Sequence, residues 1–173
     1  SGRFITHFAR GNSPLTDSAP DTLAAALARH QVEVTEEQRD MLDRYCRLLW
    51  EWNEKLNLTR HTDYEKFVTR DLADSLHIAK LLVAGERILD VGTGGGVPGI
   101  LIAILRRDVQ VSLCDSVAKK TLAVHDMAEK LDLPIDTHNS RVEELLEDER
   151  YTSLVARAVG PLDKLLTWLK HHW

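Results

Sequence analysis

Apolar residues recur every three or four positions in the first half of the chain, a spacing that predicts amphipathic helices. The clearest helix follows Thr35 and Gln38, which have the spacing of a capping box. Its apolar face comprises Met41, Tyr45, Leu48, Leu49, Trp52 and Leu56. A shorter helix is predicted from Asp21 and a third over roughly 71–83. This half of the chain is therefore predicted to be helical.

The pattern changes after Gly85, where short apolar runs rich in branched residues predict strands over 87–91, 109–114, 133–137 and 151–159. Helical stretches lie between them, over 97–106, 117–131 and 141–147. This alternation is typical of an α/β fold with a doubly wound, mainly parallel sheet. We expect a flexible lead-in over 1–20, an N-terminal helical extension over 21–84 and a sheet domain over 85–173. A last helix is predicted from Pro161, and we expect the C-terminal strands of the sheet to be missing.

The segment ILDVGTGGGVPGI, residues 88–100, places a glycine-rich loop directly after the first predicted strand. Gly94, Gly96 and Gly99 have G-x-G-x-x-G spacing, and such loops let a ligand approach the bare backbone. Asp115 ends the second predicted strand, where a carboxylate accepts hydrogen bonds from a ribose. Nicotinamide, flavin and methyl-donor enzymes share this pattern, so it predicts a nucleotide-like cofactor without selecting one.

Asp90 narrows the choice of cofactor because it places a carboxylate at the end of the first strand. Negative charge there disfavours a pyrophosphate and favours S-adenosylmethionine, which carries a sulfonium and an ammonium group. The alternative is that Asp90 only caps the glycine turn.

Arg157 and the segment after the third strand add further candidates at the same edge of the sheet. An arginine that ends a buried strand needs a partner, either a structural carboxylate or an anion of cofactor or substrate. Ser140 and Glu143 have capping-box spacing, so they either cap a helix or contact an adenine, which Val142 would then flank.

Composition limits the classes of function. The chain has 173 residues and a net charge of −5, which disfavours tight binding of bare nucleic acid. No apolar run approaches the roughly 20 residues that cross a bilayer. Cys46 and Cys114 are far apart and the histidines lack ligand spacing, so we expect no disulfide and no metal. We expect a cytoplasmic protein that acts as a monomer.

Six ordered motifs resemble the bacterial small-subunit (16S) ribosomal RNA guanine-N7 methyltransferases, the glucose-inhibited division protein B family. They are WNEKLNLTR, TRDLADSL, LDVGTGGGVPGI, LCDSVAKK, NSRVEEL and ARAVGPL. The resemblance implies a Rossmann-like class I methyltransferase fold and transfer of a methyl group from S-adenosylmethionine to N7 of a guanine. The family commonly has histidine where this chain has Asp71, and serine where it has Ala156.

The resemblance also implies roles for particular residues. Gly92 and Val97 would line the methionine side of the cofactor, while Gly94 and Asp90 are assigned to the cofactor by the glycine spacing and the strand end. Asp115 would hold the ribose, Val142 and Glu143 would border the adenine, and Arg157 would reach the cofactor or the target base. Exposed polar residues that could grip RNA are Asn57, Arg60, Arg70, Lys119, Lys120 and Arg141.

No catalytic acid–base pair is evident, and N7 of guanine needs none because it carries a lone pair at neutral pH. The expected partner is 16S ribosomal RNA within a small-subunit particle, without a membrane or a metal. Three alternatives remain open: a methyltransferase for a small molecule or protein, a nicotinamide-dependent oxidoreductase, and a non-catalytic interaction module.

Overall fold

The computed structural model describes residues 21–157, 166–167 and 169–171. The predicted lead-in and most of the predicted last helix lie outside this part of the chain. The helices are α1 Leu23–Arg29, α2 Glu36–Asn53, α3 Tyr64–Lys66, a π-helical segment Phe67–Leu72, α4 Ala73–Leu81, α5 Gly99–Leu105, α6 Ala118–Lys130 and α7 Val142–Asp148. The strands are β1 Arg87–Val91, β2 Gln110–Asp115, β3 Asp136–Asn139 and β4 Ser153–Ala156.

The described strands form one parallel sheet in the order β3-β2-β1-β4. The chain leaves β1 toward β2 and β3 and then returns to the other side of β1 as β4. The winding therefore reverses between β1 and β4, and ligands of open α/β sheets bind at the carboxyl ends of strands at such a point. The prediction of a doubly wound parallel α/β fold is confirmed.

The predicted helix over 71–83 starts too late in the chain. Helical structure begins at Tyr64, because the side chain of Asp63 accepts a hydrogen bond from the backbone N–H of Lys66. The apolar pattern does not identify Asp63 as a cap, since few apolar residues follow it with regular spacing. The capping box of Thr35 and Gln38 is confirmed at the start of α2.

The predicted third strand is also out of place, since β3 runs over Asp136–Asn139 rather than 133–137. Leu133 and Ile135 are apolar because they pack on the core before the strand begins. Leu133 still bonds back to the carbonyl of Ala128, near the end of α6. Burial of a turn thus gives an apolar run that resembles a strand.

The helical extension and the sheet share one hydrophobic core. It contains Tyr45 and Leu49 of α2 together with Ile88 of β1, Ile100 of α5 and Leu113 of β2. No helix in the described ranges is long and apolar enough to cross a membrane. The shared core fixes the extension against the carboxyl end of β1, where the glycine loop begins.

Candidate functional site

Parallel register brings three predicted site residues to one edge of the sheet. Val91 at the end of β1 lies opposite Ala156 of β4 and Cys114 of β2. One position further along β1, β4 and β2 come Gly92, Arg157 and Asp115, respectively. These three residues therefore form a row across the carboxyl edge of the sheet. Asp90 interacts electrostatically with both Asp115 and Arg157. The predicted convergence of these groups at one edge is confirmed.

The loop after β1 adopts a backbone that favours glycine. Gly92, Gly94 and Gly96 have φ of 66°, 56° and 93°, in the region that side chains with a Cβ rarely adopt. A Cβ on Gly94 would meet no atom within 4 Å, so the space beside this residue is open. The loop therefore presents bare backbone at the edge where ligands of such folds bind.

Asp90 orders this loop through hydrogen bonds from a buried position at the end of β1. Its side chain is fully buried, and Oδ2 accepts hydrogen bonds from Thr93 Oγ1 at 2.7 Å and Gly99 N at 2.8 Å. Burial raises its pKa to about 7. The capping role considered from the sequence is therefore present, and a direct cofactor contact by Asp90 stays a prediction.

Asp115 fixes the other side of the loop. One carboxylate oxygen accepts from Gly94 N at 3.0 Å and the other from Val117 N at 2.9 Å. The side chain of Asn139 at the end of β3 donates to the Asp115 carbonyl oxygen at 3.0 Å. These bonds hold the carboxylate at the edge of the loop, between β1 and β3.

Val142 and Glu143 begin α7, directly after β3. Val142 is buried in a cluster with Val91 and Cys114, while Glu143 is half-buried. The capping interpretation of Ser140 and Glu143 is wrong, because the Ser140 hydroxyl donates to the Arg141 carbonyl and Arg141 takes the cap position without a side-chain cap bond. Glu143 lies in the first turn of α7, on the β3 side of the edge.

A cavity of about 310 Å³ lies between the helical extension and the glycine loop. Its walls carry residues from α2, the segment after α2, the π-helical segment, the loop and the end of β4. They are Tyr45, Leu49, Leu58, Thr59, Arg60, His61, Asp71, Gly92, Thr93, Gly94, Gly95, Val97 and Arg157. Four predicted cofactor residues line this cavity, whereas Asp90, Asp115, Val142 and Glu143 lie outside its walls.

Arg157 is held by the helical extension. Its Nη1 donates to Asp71 Oδ1 at 2.5 Å and its Nε lies 3.1 Å from Asp74 Oδ2. His61 Nδ1 also donates to Asp71 Oδ1, at 2.8 Å. The sequence indicates that Arg157 needs a partner, but nothing in it selects Asp71, which lies 86 residues earlier in the chain.

Tyr45 is a second residue that sequence reasoning treats only as core. It is fully buried, and its hydroxyl donates to the carbonyl oxygen of Gly95 at 2.7 Å. A Cβ on Gly95 would lie 2.9 Å from Leu49 Cδ1 and 3.3 Å from the Leu58 carbonyl oxygen. The extension therefore packs directly on the loop, and a side chain at Gly95 would displace Leu49.

The candidate RNA-binding residues lie on the helical extension and at the starts of α6 and α7. Asn57, Arg60, Arg70, Lys119 and Arg141 are exposed and Lys120 is half-buried. Arg60 also lines the cavity. Asn57 does not end α2, because the helix ends at Asn53, whose side-chain oxygen accepts from Leu58 N and Thr59 N.

Comparison with known families decides between the interpretations that the geometry allows. The family described as "rRNA small subunit methyltransferase G" matches residues 38–173, most of the chain. The chain belongs to this family.

Relatives in the family agree with this assignment. The proteins named "Ribosomal RNA small subunit methyltransferase G" of Rhodopirellula baltica and Chromobacterium violaceum are 45% identical over 148 residues and 39% identical over 150 residues. Each alignment covers 86% of this chain. The chain spans 64% of the length of the first relative and 72% of the second.

Solved structures support the fold. A mutant of MtNAS in complex with S-adenosylmethionine superposes with a TM-score of 0.57 at 14% identity, covering 90% of this chain and 65% of that one. Precorrin-6y C5,15-methyltransferase of Geobacter metallireducens gives a TM-score of 0.50 at 14% identity, covering 58% and 55%. The fold is thus the Rossmann-like fold found in methyltransferases.

Proposed function

We propose that this chain binds S-adenosylmethionine and transfers its methyl group to N7 of a guanine in 16S ribosomal RNA. The observation that carries the proposal is the edge where the glycine loop, Asp115 and Arg157 meet, in a chain that belongs to a ribosomal RNA methyltransferase family. We further propose that it acts as a cytoplasmic monomer and that its substrate is a small-subunit particle.

The charges at this edge suit a cationic cofactor. Asp71 and Asp74 both contact Arg157, and Asp115 adds a third carboxylate beside the loop. Three carboxylates against one guanidinium along this edge favour a sulfonium and an ammonium group over a pyrophosphate. The charges at this edge therefore fit S-adenosylmethionine and argue against a nicotinamide cofactor.

The sheet order suggests how the cofactor would be oriented. Val142 and Glu143 follow β3 at one end of the row, where they would border the adenine, and Asp115 would hold the ribose. Gly92, Gly94, Val97 and Arg157 line the cavity toward β4, where they would hold the amino-acid part. This division supports the cofactor roles proposed for each group.

Methyl transfer to N7 requires alignment rather than proton removal. S-adenosylmethionine, when bound, supplies a methyl group on a positively charged sulfur. The protein's task is to hold the guanine lone pair close to and in line with that methyl group. The cavity walls contributed by α2 and by residues 58–61 would orient the base and exclude water, after the base has left its stack.

The cations of the helical extension and of the starts of α6 and α7 would bind the RNA backbone. Arg60 lines the cavity, Arg70 lies on the extension and Lys119, Lys120 and Arg141 lie on the sheet side. Each would contribute a phosphate contact whose strength falls with salt. Asn57 would add a neutral hydrogen-bonding group.

The cofactor assignment is tested by calorimetry with S-adenosylhomocysteine and with NAD. We expect binding of the first only, and Asp115→Ala should weaken it by about tenfold or more because a charge-assisted hydrogen bond to the ribose is lost. Asp136→Ala is the matched control, since it removes an exposed carboxylate from the amino end of β3. Unchanged affinity in Asp115→Ala would place the cofactor elsewhere.

The substrate assignment is tested with small-subunit particles that lack the modification. Incubation with S-adenosylmethionine should produce 7-methylguanosine in digests of the 16S RNA, detected by mass spectrometry. Methylation of another atom or of a ribosomal protein would contradict the proposed reaction while leaving the cofactor site intact.

A further inference from the structure

Asp71 is a buried carboxylate at the point where the helical extension meets the end of β4. It lies in the π-helical segment Phe67–Leu72, and its side chain is 3% exposed. π-helical turns are rare and often occur at functional sites. Ser75 Oγ donates to the Asp71 carbonyl oxygen at 2.7 Å, which helps to hold this turn.

The two oxygens of this carboxylate differ in their partners. Oδ1 accepts from both Arg157 Nη1 and His61 Nδ1, whereas Oδ2 is buried and has no hydrogen-bond partner in the described part of the chain. A buried ionic group held in this way is expensive and gives little stability of its own. The arrangement is therefore better explained by what it does to Arg157.

Arg157 would otherwise be a long, mobile side chain at a strand end. Asp71 binds Nη1 and Asp74 binds Nε, so the guanidinium is held at two points. No residue in the described ranges accepts a hydrogen bond from Nη2, and Arg157 lines the same cavity as Gly92, Gly94 and Val97. Among the described residues, the held group thus keeps one uncommitted donor at the methionine side of the proposed cofactor site.

We propose that Asp71, oriented by His61, is a positioning residue that holds Arg157 ready to bind the carboxylate of the methyl donor's amino-acid part. The inference rests on the proposed function. Its physical basis is preorganisation: a guanidinium already fixed in place loses less conformational freedom when it binds an anion. Asp71 then acts on the cofactor only through Arg157.

The test compares two ligands by calorimetry on the full chain. S-adenosylhomocysteine has the amino-acid part, and 5′-methylthioadenosine lacks it. We expect Asp71→Asn to weaken binding of the first by about tenfold and of the second by less than about twofold. Asp74→Asn is the matched control: its carboxylate is 55% exposed, so the loss should be only about twofold.

A double variant shows whether the effect passes through Arg157. In an Arg157→Lys background, Asp71→Asn should cause little further loss of S-adenosylhomocysteine affinity, because the two changes act on one interaction. Additive losses, or equal losses for both ligands, would overturn the inference.

Folding is checked by thermal melting of each variant. If Asp71→Asn does not fold, His61→Gln gives the same ligand comparison, with an expected loss of about threefold for S-adenosylhomocysteine alone; equal effects on both ligands would again refute the role. Failure of the unmodified chain to bind S-adenosylhomocysteine would instead overturn the proposed function. If the unmodified chain binds S-adenosylhomocysteine and Asp71→Asn binds it equally well, only this inference is overturned.

Discussion

Asp90 orders the glycine loop at a measurable cost to the folded state. The carboxyl group is fully buried, and burial is the largest influence on its pKa, which is raised to about 7. Hydrogen bonds from Thr93 and Gly99 act in the opposite direction. The group is therefore protonated more readily in the folded chain than in the unfolded one.

This raised pKa gives stability a defined pH dependence. Between about pH 4 and pH 7 the unfolded state releases the Asp90 proton while the folded state keeps it, so the free energy of unfolding falls as pH rises. Asp90→Asn removes this contribution. Relative to Asp90→Asn, the unmodified chain should lose roughly 4 kcal/mol across this window, measured by urea unfolding.

The control for this measurement is Asp136→Asn, which removes a charge from an exposed carboxylate at the start of β3. Its stability should follow that of the unmodified chain across the same pH range. A constant difference between Asp90→Asn and the unmodified chain would mean that Asp90 is ionised in the folded protein.

Among the helices and strands, α2 is a structural support for the loop after β1. Tyr45 binds the Gly95 carbonyl, and Leu49 packs where a Gly95 side chain would lie. The extension therefore shapes the loop that holds the proposed cofactor, besides contributing one wall of the cavity.

Tyr45→Phe tests this coupling. The change removes one donor and leaves a buried carbonyl unpaired, which should lower the free energy of unfolding by about 1–3 kcal/mol. It should also weaken S-adenosylhomocysteine binding several-fold, as measured by calorimetry. Tyr64→Phe is the matched control, because the Tyr64 hydroxyl binds Asp43 away from the loop. Equal effects of both variants on ligand affinity would show that the loop does not depend on α2.

Over the protein as a whole, charge restricts how RNA could be bound. The net charge is −5, and residues 143–149 carry five carboxylates and no base. Among the cations proposed to contact RNA, Arg60 lines the cavity, and Lys119, Lys120 and Arg141 lie at the starts of α6 and α7. Binding through a local basic patch and the shape of a folded particle is consistent with this distribution.

We therefore expect poor activity on protein-free RNA. At physiological salt, methyl incorporation into a 16S transcript should be at least about tenfold slower than into small-subunit particles, because few phosphate contacts are available to offset repulsion. The measurement is the initial rate at matched substrate concentrations. Robust methylation of a short transcript would contradict the expectation.

Local patterns were sufficient for much of the fold and for one side of the site. Alternating apolar runs predicted the parallel sheet, and the glycine spacing with Asp115 at the end of β2 predicted the edge where the loop lies. These features succeed because they depend on neighbours in the sequence. The starts of the third helix and third strand failed, since Asp63 capping and the buried turn at Leu133 depend on local hydrogen bonds that periodicity does not register.

The amino-acid pattern alone was enough to establish the α/β class, the glycine loop and the row of residues that follow β1, β2 and β4. It was enough because alternating strands and helices place the carboxyl ends of parallel strands at one edge. The contacts of Asp71 and Asp74 with Arg157, and of Tyr45 with Gly95, became visible only in the folded chain. Those contacts join segments 50 or more residues apart. Packing of the helical extension on the sheet brings them together, and no spacing along the chain encodes it.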